Sequence, residues 1–293
     1  MKLWWAVLVA CGVLAGASAA ELRQAAIPGW KLAVHGYTFR SKSLLETIDL
    51  VKDMGLPYLS CTRGQKIAKE WPEPFSPTMK EGAAKAIKAR LEATGVKIVA
   101  YGVTPIPKDE PGARAMFQWA KDWGIEVFYT EVGADQFPLL DKLAAEYGVR
   151  VALHNHPKPS HYWSPDVILA EAKDAKHIGV CADTGHWDRS GLDPTECLRK
   201  LQGRIGALHF KDLREVGGKK IDQPWGTGAN DARGMLAELQ RQGYTGVFAI
   251  EYEHVDAKLV DNVKACIDWW YRTVAELAPA KQIDAPGRPG VIK

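Results

Sequence analysis

Val180-Cys181-Ala182-Asp183-Thr184-Gly185-His186 is a short apolar run that ends abruptly in polar and ionisable residues. Three other runs have the same form: Val151-Ala152-Leu153-His154-Asn155-His156, Ala207-Leu208-His209-Phe210-Lys211 and Ala249-Ile250-Glu251-Tyr252-Glu253. Such runs read as strands of a parallel sheet covered on both faces. A covered strand has no structural need for ionisable groups at its end unless something beyond that end uses them.

Working outward from these four, strand-like runs fall at 31–38, 58–63, 96–103, 127–132, 150–154, 178–182, 205–210 and 246–252. Helical patterns alternate with them at 44–54, 77–93, 111–123, 136–147, 165–175, 194–201, 232–242 and 257–277. The first helix has Ser43 and Glu46 at capping-box spacing and Gly55 at its end. Pro77, Pro165 and Pro194 follow Ser or Asp at helix starts, and Gly95, Gly124, Gly148 and Gly243 close helices. Eight strand–helix units in series predict an α/β chain folded as a single (β/α)8 TIM barrel. The alternative, an open doubly wound sheet, lacks support: Gly36-Tyr37-Thr38 supplies no glycine-rich phosphate turn after the first strand.

The 293 residues, 46% apolar and 25% charged, suit one large domain with a sizeable core. A net charge of +3 without basic runs gives no sign of a nucleic-acid surface. Lys2, the apolar run from Leu3 to Leu14 and the small residues Gly16-Ala17-Ser18-Ala19-Ala20 have the layout of a secretory signal. The expected division is a signal at 1–20, a catalytic barrel at 21–278 and a loosely packed Pro/Gly-bearing tail at 279–293. The mature protein is thus expected to be periplasmic or secreted, with no membrane association after cleavage. Leu8-Val9-Ala10-Cys11 offers lipoprotein anchoring at Cys11 as the alternative. Cys61, Cys181, Cys197 and Cys266 fall on strands or apolar helix faces and read as buried free thiols.

In a barrel of this kind the active site lies at the C-terminal strand ends. There the chain places His35, Arg63, Tyr101, Glu131, His154, Asp183, His209 and Glu251. The last four come from the fifth to eighth strands and can converge on one point. Two imidazoles and two carboxylates suit one divalent ion, Mn²⁺, Fe²⁺, Co²⁺ or Zn²⁺, among which affinity ordering does not choose; Mn²⁺ is the one expected, with Co²⁺, Fe²⁺ and Zn²⁺ as alternatives. Glu131 reads as a fifth ligand, as the acid/base, or as a rim residue paired with a basic side chain. His35, Lys66, His156, His186, Lys211 and Trp225 are the candidates for substrate contacts, with Trp71, Trp163 and Trp187 as further loop aromatics.

Asp183-Thr184-Gly185-His186, His209-Phe210-Lys211-Asp212 and Ile250-Glu251-Tyr252-Glu253, with Pro224-Trp225-Gly226-Thr227-Gly228 between the last two, resemble the xylose isomerase-like barrel superfamily. That group includes sugar phosphate isomerases/epimerases, ketose 3-epimerases, inosose dehydratases and endonuclease IV. In its ketose epimerases one metal is held by Glu, Asp, His and Glu from the fifth to eighth strands. Asp183, His209 and Glu251 match that set, and His154 replaces the first Glu.

The resemblance implies a metal-dependent keto-sugar isomerase/epimerase that removes a proton beside a carbonyl, with an enediolate stabilised by the metal. Glu251 and Glu131 are its expected acid/base residues, with His156 behind Glu131. The alternative outcome on the same site is β-elimination, as in 3-keto-glycoside lyases or dehydratases, which export and a one-sided base would suit. The expected partner is a small keto-sugar or keto-glycoside. A non-catalytic exported sugar-binding module is a distant alternative, and an endonuclease IV-type nuclease is disfavoured by Arg63 and Tyr101 at the second and third strand ends.

Overall fold

The computed structural model describes residues 27–278. The expected signal and tail lie outside the described residues. Eight parallel strands close a barrel: β1 (Trp30–His35), β2 (Tyr58–Cys61), β3 (Lys97–Tyr101), β4 (Val127–Thr130), β5 (Arg150–His154), β6 (Ile178–Asp183), β7 (Ile205–Phe210) and, after a hairpin, β10 (Gly246–Ile250). Each neighbours the next around the ring, and β10 pairs with β1.

Two apolar layers follow from the strand alternation. The barrel interior is filled by small or slim side chains such as Ala33, Val127, Ala152, Cys181, Ala207, Val247 and Ala249, closed by Tyr129. Side chains of the opposite parity, among them Val34, Leu153, Val180, Leu208 and Ile250, meet the helices outside. Each strand is thus buried on both faces, which is why the runs read as continuously apolar. The surrounding helices include Leu44–Asp53, Glu81–Thr94, Glu110–Asp122, Phe137–Tyr147, Ala232–Arg241 and Leu259–Leu277. Ser43 and Glu46 make the expected reciprocal cap, and Ser164 and Asp193 cap helices that begin with Pro165 and Pro194. The four cysteines among the described residues are free and buried. Among the described residues no helix is long and apolar enough to cross a membrane.

Several boundaries differ from expectation. The second helix begins at Glu81 rather than 77, because the preceding loop is held to the barrel by Phe75, whose carbonyl accepts from Tyr101 Oη at 3.0 Å. The first strand stops at His35, where Gly36–Phe39 turns into a 3-10 helix. Two elements were not expected at all. A six-residue helix, Thr184–Arg189, follows β6 directly, and an antiparallel hairpin of β8 (Leu213–Val216) and β9 (Lys219–Asp222) follows β7.

The hairpin returns to the barrel through the Pro224–Gly228 loop, and one carboxylate holds that loop. Asp212 Oδ2 accepts the backbone N–H groups of Gly226 and Gly228, each at 2.9 Å, and Oδ1 accepts that of Asn230 at 3.2 Å. A Cβ at Gly228 would stand 2.0 Å from Asp212 Oδ1, so the approach requires glycine. Asp212 and the Pro-Trp-Gly-Thr-Gly stretch are therefore one structural unit. Asp212→Ala leaves these donors without their acceptor and is expected to lower stability by about 1–3 kcal/mol. Urea unfolding measures this, and an unchanged midpoint would show that the loop is held elsewhere.

Candidate active site

Ala152, Cys181, Ala207 and Ala249 face the barrel interior, and His154, Asp183, His209 and Glu251 each follow one of them by two positions. Side chains two apart on a strand share a face. The four polar residues therefore continue the interior column upward, out of the apolar plug and into the barrel mouth. Register aligns them further, since Asp183 pairs directly with His209 across the ladder. One donor atom from each of the four lies within 4.8 Å of the others.

The residues around Asp183 divide the work of holding it. Its Oδ1 accepts the backbone N–H of His186 at 2.8 Å and so caps the short helix, leaving Oδ2 to the site. The Asn155 amide bonds both backbone groups of Asp183, at 2.8 and 3.0 Å, and locks the end of β5 to the end of β6. Thr184 Oγ1 does the same between β6 and β7, exchanging bonds with the Lys211 N–H and C=O at 2.8 and 2.9 Å. Gly185 makes room for the Lys211 stem, because a Cβ there would lie 2.7 Å from Lys211 Cδ.

Lys211 is the unusual member. Its side chain is fully buried, with Nζ 2.8 Å from Asp183 Oδ2, 2.8 Å from Glu251 Oε2 and 3.2 Å from Glu253 Oε1. Burial alone would favour the neutral amine, but the surrounding carboxylates hold it charged, well above the ordinary lysine range. In turn, although burial opposes it, Lys211 and His209 hold Glu251 ionised, well below the usual carboxylate range. Glu253 is shared with Arg189, whose Nη1 lies 2.6 Å from Glu253 Oε2 and whose Nη2 lies 3.5 Å from Asp222 Oδ2.

The histidines differ in partner. Burial brings His35 down to about 3 and His186 down to about 2, so both are neutral at ordinary pH. His35 Nδ1 lies 2.8 Å from Ser60 Oγ. His186 Nδ1 lies 3.1 Å from Arg189 Nη1. A guanidinium only donates, so Nδ1 accepts and the His186 proton sits on Nε2, 3.5 Å from Asp183 Oδ2. His154 Nε2 lies 3.1 Å from His209 Nδ1, while its Nδ1 lies 3.2 Å from Glu131 Oε1. The same Glu131 oxygen is 2.5 Å from His156 Nδ1.

Above the four converging residues opens a cavity of about 550 Å³. His35, His154, His156, His186, Glu251 and Glu253 line it, together with Tyr37, Thr62, Arg63, Gly64, Pro74 and Val103. Three expected substrate contacts lie elsewhere. Lys211 sits behind the carboxylates, where its charge is consumed by ion pairs. Trp225 is core, packed against Phe210, Trp269 and Trp270 because Asp212 draws its loop inward. The Lys66 side chain is exposed, and its backbone carbonyl accepts from Leu44. Of the loop aromatics, Trp187 is fully buried, Trp71 packs at Gly82 and Trp163 carries Lys158 over its ring at 4.0 Å. Sequence reasoning missed Arg189, Asn155 and Asp222, whose roles depend on partners up to 64 residues away.

The residues fit a divalent ion. Asp183 Oδ2 and Glu251 Oε2 are buried and converge with His209 Nδ1, held by ion-pair contacts chiefly to the Lys211 ammonium rather than by aligned hydrogen bonds, and buried carboxylate oxygens in this state accept a cation. The mixed nitrogen and oxygen donors are those that first-row transition ions accept. Lys211 bears on this directly, since its ammonium touches two of the same oxygens. Lys211→Met is expected to destabilise the metal-free protein by about 3–5 kcal/mol, because it strips buried carboxylates of their counter-charge. Added divalent metal is expected to recover more stability in the variant than in wild type. Urea unfolding with and without chelator tests this, and equal gains in both proteins would refute the shared-oxygen account.

A family model described as a xylose isomerase-like TIM barrel matches residues 121–273. The chain is 27% identical to an inosose dehydratase of Geobacillus thermodenitrificans over 221 residues, 65% of this chain and 70% of that protein. Two inosose dehydratases of Lacticaseibacillus casei align over 132 residues, so the chain spans 44% of their length. A solved structure of an uncharacterized protein from Parabacteroides distasonis is 27% identical with a TM-score of 0.65, covering 83% of this chain and 99% of that one. The 3-keto-D-glucoside 4-epimerase of E. coli has the same fold at 15% identity and a TM-score of 0.62, covering 83% of this chain and 99% of that one. With the matched residues spanning more than half of it and its eight-stranded barrel closed, the chain belongs to the xylose isomerase-like TIM barrel family.

Proposed function

We propose that this protein is a divalent-metal-dependent enzyme that removes a proton beside a carbonyl of a keto-sugar. The observation that carries this reading is Glu251: it belongs to the converging donor set, lines the cavity and is held ionised by Lys211 and His209. An ionised carboxylate facing the cavity can accept a proton from a carbon acid, and the Lys211 and His209 contacts that keep it ionised also lower its basicity, so those contacts must loosen as the proton is taken. His154, Asp183, His209 and Glu251 would hold the ion, which when bound supplies positive charge to the carbonyl oxygen and a neighbouring hydroxyl. Mn²⁺ is our proposal for its identity, with Co²⁺, Fe²⁺ and Zn²⁺ as alternatives.

The chain's own residues supply the rest. His186, neutral and with its proton on Nε2, would donate a hydrogen bond to a substrate oxygen. His35 and His156 would contact sugar hydroxyls from two other strand ends. Return of the proton to carbon gives isomerisation or epimerisation, and departure of a β-substituent gives elimination. The second outcome has its own support. The fifth-strand donor is an imidazole, so the other carboxylate of the donor set is Asp183, which caps a helix and pairs with Lys211, and the Geobacillus relative is a dehydratase. We further propose that the protein acts outside the cytoplasm, on the strength of the signal-like residues 1–20.

Incubation with 3-keto-glucosides and free ketoses in D₂O, followed by NMR, tests the reading. Deuterium is expected beside the carbonyl, and loss of the β-substituent distinguishes elimination from epimerisation. Glu251→Gln is expected to abolish exchange, and Asp183→Ala is expected to lose bound metal by elemental analysis. Wild-type protein that neither binds metal nor exchanges deuterium would overturn the proposal.

A further inference from the structure

Glu131 follows β4 directly, and it extends the interior-facing column of Val127 and Tyr129 by two residues, as the four donors extend theirs. Its carboxylate nevertheless does not join the donor set. Its Oε1 stands 3.2 Å from His154 Nδ1 and 2.5 Å from His156 Nδ1, on the far edge of the His154 ring from Asp183 and His209. The His154 and His156 rings meet edge to face, 4.7 Å between centroids, so one oxygen reaches both.

The backbone around this contact is tied independently. Tyr162, from the loop after β5, donates to the Val132 carbonyl at 2.7 Å, and Asn155 between the two histidines is locked to Asp183. Glu131, His154 and His156 are therefore held at the junction of three strand ends. A carboxylate oxygen accepts, so His154 directs its Nδ1–H to Glu131, while His156 Nδ1 lies within ion-pair distance of the same oxygen. With Nδ1 committed, Nε2 is the His154 nitrogen that faces Asp183 and His209 and can take an ion once its own proton leaves, and the other edge of His156 turns to the cavity it lines.

We infer that Glu131 is a positioning residue, a single carboxylate oxygen that sets the tautomer and orientation of both His154 and His156. The inference rests on the metal-dependent reading of the same site, but assigns Glu131 a place behind the histidines rather than against substrate. Acid/base work then stays with Glu251 and the cavity-lining imidazoles. The carboxylate that the ketose epimerases carry on the fifth strand is here moved back one strand and acts through a ring. A carboxylate behind a ligating imidazole fixes the ligand nitrogen and raises its basicity, and losing one typically costs about 10–100-fold in metal affinity.

The test uses the full-length protein labelled with ¹⁵N-histidine, together with Glu131→Ala, Glu131→Gln and His156→Ala, each checked for folding by circular dichroism. Long-range ¹H–¹⁵N spectra of the metal-free wild type should show protons on Nδ1 of His154 and His156, and Glu131→Ala should shift both rings away from that state. Co²⁺ affinity, by chelator competition, should fall about 10–100-fold in Glu131→Ala and less in Glu131→Gln. His156→Ala should lose much less Co²⁺ affinity than Glu131→Ala, because His156 lies outside the four-residue donor set that contains His154. A wild-type Nε2–H tautomer at His154, or unchanged Co²⁺ affinity in folded Glu131→Ala, overturns the inference. So does a loss in His156→Ala as large as in Glu131→Ala. The metal-free spectra read the clamp even if no ion or keto-sugar binds, so failure of the proposed function is distinguishable from failure of this assignment.

Discussion

A fully buried ammonium, Lys211, holds the upper end of this barrel together. It draws Asp183, Glu251 and Glu253 to within 3.2 Å of one nitrogen, from the ends of two strands that are not neighbours in the ring. Carboxylates gathered this closely out of water would repel one another strongly. Each would protonate or swing outward without a counter-charge. With it they remain ionised and inward, the condition both for metal binding and for a base. The surrounding sequence serves the same end, through Gly185, which clears space for the stem, and Thr184, which fixes the Lys211 backbone.

A second cation extends the arrangement outward. Arg189, one turn beyond His186 on the short helix after β6, binds Glu253, approaches Asp222 and accepts a place beside His186 Nδ1. Through the Lys220 carbonyl it also reaches the hairpin. Burial pushes the Asp222 carboxyl up to about 6, so this outer pair is electrostatically softer than the inner cluster. The hairpin, the helix and the end of β10 thus meet at one guanidinium. The cavity lining mixes the ionisable strand-end residues with Arg63 and with the uncharged Tyr37, Pro74 and Val103.

His35 and His186 are buried and neutral, so they could hold substrate oxygens without competing for charge, whereas, against its burial, Asp183 and Glu131 raise the His154 imidazole to about 9. The donor set is two imidazoles and two carboxylates, with His154 at the end of the fifth strand. A further negative charge stands behind that ring, on Glu131. Burial alone would raise the Glu131 carboxyl, but the bonds from His154 and His156 bring it down to about 2.

Much of this was legible along the chain. Period-two alternation carries a residue type to the interior column whatever the loops do, so Ala152-x-His154, Cys181-x-Asp183, Ala207-x-His209 and Ala249-x-Glu251 announce convergent side chains by themselves. Eight apolar runs separated by capped helical patterns likewise suffice for a barrel, because local pattern and global topology agree there. What sequence could not settle was depth and direction. Lys211 and Trp225 look like pocket residues by position, yet one is buried under carboxylates and the other in the core, since the Asp212 bonds to Gly226, Gly228 and Asn230 decide where that loop goes. Glu131 looks like a free acid until His154 and His156, 23 and 25 positions later, take its oxygen. Strand register is a local property repeated along the chain, whereas the partner of a buried charge is set by which distant loops share its space. Only the tertiary structure decides that.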